Sequence, residues 1–265
     1  MPIPLFQIDA FTSRLFAGNP AAVCPLEKWL DDRTLQAIAA ENNLSETAFY
    51  VPEGDHFALR WFTPSTEVEL CGHATLATAF VIFEYFDKSR QEIRFSSRSG
   101  TLIVRRQGDL LALDFPRKDA VPCEVPGDLI QGLGRAPREV LLARESSGSA
   151  NYLAVYESED ELRSLRPDFG LLGRLSRSGV IVTSPGESAD FASRYFAPWF
   201  GVPEDPVTGS SHCTLVPYWA SRTGRQKLHA VQLSSRGGEL FCELKGERVV
   251  IAGRAVGYLR GEILL

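Results

Sequence analysis

Two uncharged stretches hold side chains that could do chemistry. Leu70-Cys-Gly-His-Ala-Thr75 places a thiol and an imidazole on either side of Gly72. Asp205-Pro-Val-Thr-Gly-Ser-Ser-His212 gathers a carboxylate, hydroxyls and an imidazole around Gly209. Each glycine stands where an apolar helix is predicted to begin. A helix N-terminus presents unpaired N–H groups and a partial positive charge, so it attracts anions such as carboxylates. Glycine lets a ligand come close to the backbone because it has no Cβ. The plainer alternative is that Gly72 and Gly209 only turn the chain, with Ser210 or Ser211 capping the second helix. Neither stretch is a Gly-Lys-Ser/Thr phosphate loop, and no Gly-x-Gly-x-x-Gly is present. Cys71, His73, His212 and Cys213 could be pictured as four metal ligands. Neighbouring helical residues point about 100° apart, however, and no Cys-x-x-Cys spacing occurs, so no metal is expected.

The elements that would position these groups follow from hydrophobic patterning. From His73 to Phe83 the chain has no charge and no polar face, so a helix there must be buried all round. Ser211 to Trp219 is nearly as apolar. Short runs of strand-forming residues bounded by Gly, Asp or Pro surround the first helix, at Phe57 to Phe62, Thr101 to Arg106 and Leu110 to Phe115. Their counterparts around the second are Phe191 to Phe196, Glu239 to Leu244 and Arg248 to Ile251. Asp31 or Asp32 can cap a further helix through about Glu41, with Leu35, Ile38 and Ala39 on its apolar face. A sheet curled around a central helix, once in each half, is the expected architecture.

The two halves repeat each other. Asn19-Pro-Ala-Ala-Val23 resembles Asn151-Tyr-Leu-Ala-Val155, and Phe57-Ala-Leu-Arg-Trp-Phe-Thr-Pro64 shares five of eight positions with Phe191-Ala-Ser-Arg-Tyr-Phe-Ala-Pro198. Gly72 with Thr75-Leu76 finds Gly209 with Thr214-Leu215, and Ser96-Ser-Arg-Ser-Gly100 finds Ser234-Ser-Arg-Gly-Gly238. A period near 135 residues is the size of a domain, too long for a solenoid unit. The chain therefore reads as α+β, with two similar domains, each a curled, mostly antiparallel, barrel-like β-sheet around a central helix. The first is expected over 1–135, with 255–265 able to complete its sheet, and the second over 136–254. Gly132-Leu-Gly-Arg-Ala-Pro137 is the expected connection. If a pseudo-twofold relates the halves, the two helix starts would face each other across a cleft, a common place for a substrate.

Composition narrows the partners. The 265 residues are 44% hydrophobic and 23% charged, a globular composition able to bury a core. With 28 Lys and Arg against 33 Asp and Glu, the net charge is −5, a poor match for nucleic acid. The longest stretches without Asp, Glu, Lys or Arg, Leu70 to Phe83 and Pro206 to Ser221, fall short of a membrane span. The start lacks the basic and long apolar segments of a signal peptide, and five scattered cysteines do not make a disulfide framework. A cytoplasmic protein is expected.

Four ordered motifs carry a resemblance that runs through essentially the whole chain. They are Gly18-Asn-Pro-Ala-Ala-Val23, Asn43-Leu-Ser-Glu-Thr-Ala-Phe49, Thr63-Pro-Ser-Thr-Glu67 with Cys71-Gly-His-Ala-Thr75, and Glu204-Asp-Pro-Val-Thr-Gly-Ser210. Together they resemble the PhzF-like phenazine-biosynthesis family, which has the diaminopimelate epimerase fold. The resemblance implies an isomerase similar to trans-2,3-dihydro-3-hydroxyanthranilate isomerase, using general acid/base catalysis with no metal or organic cofactor. It places the acid/base glutamate at Glu46, where the apolar strand Ala48-Phe-Tyr-Val51 would be expected to raise the carboxyl pKa by desolvation. A helix cap or turn is the structural alternative for Glu46.

Carried over in the same way, His73 assists proton transfer or holds the substrate, and Asp205 binds its amino or hydroxyl group. Ser210, with the N–H groups of Gly72 and Gly209, resembles the carboxylate-binding part. His212 matches a family histidine without a defined role. The expected partner is a small carboxylate-bearing metabolite, and family members are often homodimers. Amino-acid racemases of this fold use two cysteines, one at each helix start. Here Cys71 stands at the first start and Thr208 at the second, and a threonine hydroxyl is too weak a base to replace a thiolate. The alternative from another class is a non-catalytic small-molecule-binding or interaction protein that retains the fold.

Overall fold

The computed structural model describes residues 2–144 and 148–265. The chain forms two compact units, Met1–Asp114 with Ile251–Leu265, and Phe115–Val250.

In the first unit, β1 (Ile3–Ala10) pairs antiparallel with β2 (Asn19–Pro25). The connecting loop needs Gly18, which sits at φ +67° with the place of a Cβ only 2.2 Å from the Ala10 carbonyl oxygen. A side chain there would displace Asn19. Helix α1 (Asp32–Asn42) then carries the chain to β3 (Glu46–Glu53), which runs parallel to β2. Asp31 caps α1 by accepting from the Thr34 N–H, and Leu35, Ile38 and Ala39 are buried as the pattern predicts. Asn43 ends the helix in the left-handed conformation, one of the few non-glycine types that adopts it readily.

From there β3 turns back antiparallel to β4 (His56–Phe62), which pairs with the short β5 (Glu67–Val68) and runs parallel to β6 (Glu92–Ser97). Strands β7 (Gly100–Gln107) and β8 (Leu110–Pro116) continue as an antiparallel meander. The end of the chain returns: β17 (Ala255–Ile263) pairs antiparallel with β1, Ile3 opposite Ile263 and Ala10 opposite Ala255.

Helix α2 (Gly72–Val81) packs against β1, β2 and β3, and all its residues from His73 to Ala79 are buried. Two threonines are tolerated there because each hydroxyl donates to its own backbone, Thr75 to the Cys71 carbonyl and Thr78 to that of Ala74. A π-helical turn, Ile82–Phe86, ends the predicted helical stretch.

The second unit holds β9 (Val121–Pro122), α3 (Gly127–Leu133), β10 (Glu139–Arg144) and β11 (Ala150–Val155). The short helices α4 (Glu159–Ser164) and α5 (Phe169–Leu172) lead to β12 (Ser178–Pro185) and β13 (Phe191–Phe196). The central helix α6 (Gly209–Thr223) follows, then β14 (Lys227–Gln232), β15 (Gly238–Lys245) and β16 (Arg248–Gly253). Strand β11 runs parallel to β12 and β13 to β14, while β10–β11, β12–β13 and β14–β15 are antiparallel.

Pro217 lies inside α6, where it cannot donate to the carbonyl of Cys213 four residues earlier. That carbonyl instead accepts the Lys118 N–H at 3.0 Å, so the proline opens a docking point for the strand connection.

The domain boundary differs from the sequence expectation. Residues 115–135 lie in the second unit because β9 pairs with β10 and α3 buries Leu129 and Leu133 among Leu162, Leu172, Val180 and Phe196. The expected connection at Gly132–Pro137 includes the end of α3, closed by Gly134 at φ +71°. At the other boundary, the chain re-enters the first unit at Ile251 rather than at 255.

Candidate functional site

In the first unit, Glu46 opens β3 and His73 lies in the first turn of α2. The fold brings them together: His73 Nε2 is 3.0 Å from Glu46 Oε2, with the side chains 7% and 18% exposed. These two atoms face each other off the in-line geometry of a hydrogen bond, and neither has a hydrogen-bond partner elsewhere. The other ring nitrogen, Nδ1, is 3.2 Å from Asn19 Nδ2 and 3.5 Å from Cys71 Sγ. Asn19 in turn accepts the Ser45 hydroxyl at Oδ1, 3.1 Å away. The expected pair of Glu46 and His73 thus sits in a cluster that also contains Cys71, Asn19 and Ser45.

The electrostatics are those of a mostly closed site. Burial, reinforced by the Glu46 carboxylate, holds the Cys71 thiol up at about 11. Burial opposes charge on His73, but Cys71 and Glu46 favour it and prevail, lifting the imidazole well above its ordinary value. The Cys71 contribution requires an ionised thiol, which is absent at neutral pH. In the resting site Glu46 alone therefore supports an imidazolium against burial.

Glu46, Cys71 and His73 each bring a metal-ligand type of atom within 4.8 Å of the others. The carboxylate lies at Nε2 and the thiol at Nδ1, on opposite nitrogens of one ring, and a metal takes one nitrogen of an imidazole. The arrangement is suited to holding and passing protons. Gly72 begins α2, whose N-cap residue Cys71 makes no side-chain cap, so the first-turn N–H groups are not occupied by a capping side chain.

In the second unit, Asp205 precedes α6, and its carboxylate accepts a close hydrogen bond from the Thr208 hydroxyl. Gln232, almost wholly buried on β14, ties this loop together. Its Oε1 accepts the Thr208 N–H at 2.9 Å, and its Nε2 donates to the Asp205 carbonyl at 2.9 Å and to Thr208 Oγ1 at 3.2 Å. Gly209 begins α6, again without a side-chain cap, and Ser210 is exposed beside it. His212 is fully buried, and its Nδ1–H donates to the Thr208 carbonyl at 2.9 Å. A carbonyl can only accept, so the proton is on Nδ1 and Nε2 carries the lone pair. Burial drives this imidazole down to about 4, and it is neutral at pH 7.

The duplication extends to the support of both helix starts. Arg60 on β4 forks onto Glu67, with Nε–Oε1 and Nη2–Oε2 both 2.8 Å. Arg194 on β13 forks onto Glu204, at 2.8 and 3.0 Å. In each half the glutamate stands five residues before the helix glycine, Glu67 before Gly72 and Glu204 before Gly209. Bidentate guanidinium–carboxylate pairs fix orientation as well as distance, so each clamps the segment that leads into its helix.

Residues 8–261 match the family described as phenazine biosynthesis-like protein. The chain belongs to that family. An uncharacterized isomerase of Pseudomonas aeruginosa is 52% identical to it over 265 residues, covering all of both chains. The human phenazine biosynthesis-like domain-containing protein is 40% identical over 294 aligned positions, covering 99% of each. The solved structure of a PhzF-family phenazine biosynthesis protein from Enterococcus faecalis is 45% identical and superposes over the whole of both chains with a TM-score of 0.95. The chain is an isomerase of the phenazine biosynthesis-like family, with that family's α+β fold and internal duplication.

Among the residues that sequence reasoning assigned no role, Asn19, Ser45 and Gln232 are part of these arrangements. Asn19 and Ser45 lie inside quoted motifs, Gly18-Asn-Pro and Asn-Leu-Ser-Glu, which was the available signal. Gln232 lies in none.

Proposed function

We propose that this isomerase moves a proton between two carbons of a small carboxylate-bearing metabolite, cyclic or amino-acid-derived, with Glu46 as the carrier. The observation that carries the reading is the enclosed Glu46–His73 pair, 3.0 Å apart, with both facing atoms free of other hydrogen bonds. A carboxylate in such a place can take a C–H proton from one carbon as the double bond shifts, then return it to another; no atom is gained or lost. His73 assists beside it. Taken unit by unit, the backbone N–H groups at Gly72 in the first, and at Gly209 with Ser210 in the second, are suited to receive a carboxylate, and Asp205 to bind an amino or hydroxyl group. Cys71, Thr208 and His212 complete the proposed set as supporting residues: Cys71 at His73 Nδ1, Thr208 on the Asp205 carboxylate and His212 on the Thr208 carbonyl. The neutral Cys71 thiol and the absence of a partner cysteine at Thr208 disfavour two-thiol racemisation.

The test screens trans-2,3-dihydro-3-hydroxyanthranilate and related unsaturated amino and hydroxy carboxylates by NMR, with wild type and Glu46→Gln side by side. A substrate should turn over with wild type, while the variant loses about 10²–10⁴-fold in kcat and still binds. Equal turnover by Glu46→Gln would overturn the assignment. Binding without turnover across the panel would favour the non-catalytic alternative.

A further inference from the structure

We propose that Asn19 is a positioning residue that decides which nitrogen of His73 carries the proton. Asn19 opens β2 and is completely buried, with its Nδ2 3.2 Å from His73 Nδ1. An amide nitrogen has hydrogens to donate and no lone pair to accept with. Facing it, Nδ1 must hold a lone pair, and the ring proton is left on Nε2, against Glu46.

Ser45 supports the orientation of the amide that faces Nδ2 to the ring. Its hydroxyl donates to Asn19 Oδ1 at 3.1 Å, which turns Nδ2 towards the imidazole. Ser45 and Glu46 are consecutive at the start of β3, so one short segment supplies both the group that orients Asn19 and the carboxylate at Nε2. The titratable groups recorded at the ring are Glu46, on β3, and Cys71, at the start of α2. The neutral Cys71 thiol, 3.5 Å from Nδ1, is a second donor and favours the same tautomer.

The consequence rests on the proton-transfer reading of Glu46, although the geometry does not. With its proton on Nε2, His73 can only donate towards Glu46. A Glu46 that has just taken a proton from substrate then has no lone pair on His73 to lose it to, and it keeps the proton for return. With the proton on Nδ1, Nε2 would present a lone pair and drain the carboxyl. Forming the imidazolium instead would point a new Nδ1–H at the Asn19 amide donor.

The tautomer can be read without a substrate. Long-range ¹H–¹⁵N correlation spectra of the ¹⁵N-labelled full chain resolve the two ring nitrogens of each of its four histidines, and His73→Gln identifies the His73 signals. On the neutral side of its titration, the wild-type ring should show Nδ1 unprotonated and Nε2 protonated. Asn19→Asp replaces the donor with an acceptor and should leave both nitrogens protonated over the same range, moving the titration up by more than one pH unit. Ser45→Ala, at a half-buried site, should retain the fold and show a mixture of tautomers, so the proposal stays open to refutation if Asn19→Asp does not fold. A neutral wild-type ring with its proton on Nδ1, or a pattern unchanged in the variants that fold, overturns the role of Asn19. Failure to find any isomerisation, with the Nε2–H tautomer observed, overturns the activity reading and leaves this one standing.

Discussion

The four histidines of this chain include two buried ones held in opposite ways. His73 has a carboxylate at one nitrogen and donors at the other, whereas His212 has uncharged partners only, the Thr208 carbonyl and the Ser211 hydroxyl at Nδ1, with the Phe191 ring beside it. Only the second is held well below its ordinary value, from 6.5 to about 4, and burial is the cause. Because the unfolded state binds the proton more tightly, stability is full above about pH 6.5 and is lost as pH falls towards 4. A gap of this size corresponds to about 3 kcal/mol at acid pH. Asparagine at this position can still donate to the Thr208 carbonyl without titrating in that window. Urea unfolding of wild type and His212→Asn between pH 4 and 7 should show the steeper fall for wild type. Parallel curves would mean that His212 does not titrate as its burial demands.

At the scale of elements, the paired Arg–Glu forks show what the repeat preserves. Arg194 reaches Glu204 with two nitrogens and also donates to the Leu162 and Leu165 carbonyls, while its guanidinium lies over the Phe196 ring. Replacing it by methionine leaves Glu204 mostly enclosed and uncompensated. The expected cost is about 3 kcal/mol, the low end for breaking a buried pair because both groups retain some exposure. Arg194→Met/Glu204→Gln should recover part of that loss, and denaturant unfolding of the single and double variants measures the coupling. A loss under about 1 kcal/mol for Arg194→Met would place the fork among ordinary surface pairs.

Much at this scale was legible in advance. The Phe-Ala-x-Arg repeat announced equivalent strands, and the charge-free helix after Gly72 announced a buried core element, because both signals are local and periodic. Helices α3, α4 and α5 were not legible, since four to seven residues give too few turns for a helical period to show. Nor was the meeting of Asn19 with His73, 54 residues away, because no local pattern encodes a tertiary contact. The motifs containing Glu46 and His73 indicated which residues mattered, and the parallel pairing of β2 with β3 explains how Asn19 and Ser45 come to share their neighbourhood.

For the whole molecule, the consequential feature is that the second unit is one continuous segment while the first is closed by residues from both ends of the chain. Strand β1 has β2 on one side and β17 on the other, so removing residues 254–265 would turn a paired strand into an open edge. Such a deletion should aggregate or lose its cooperative melt. A circular permutant makes the opposite prediction from the same contacts. Ile3 lies opposite Ile263, so a flexible linker of about six residues can join the old ends. New ends can be placed at Gly246, an exposed turn residue between β15 and β16. That permutant retains every strand and should remain soluble, with a far-ultraviolet circular dichroism spectrum matching wild type and a melting temperature within several degrees. If it fails while the deletion survives, β17 is dispensable and the closure of the first unit does not depend on the returning chain.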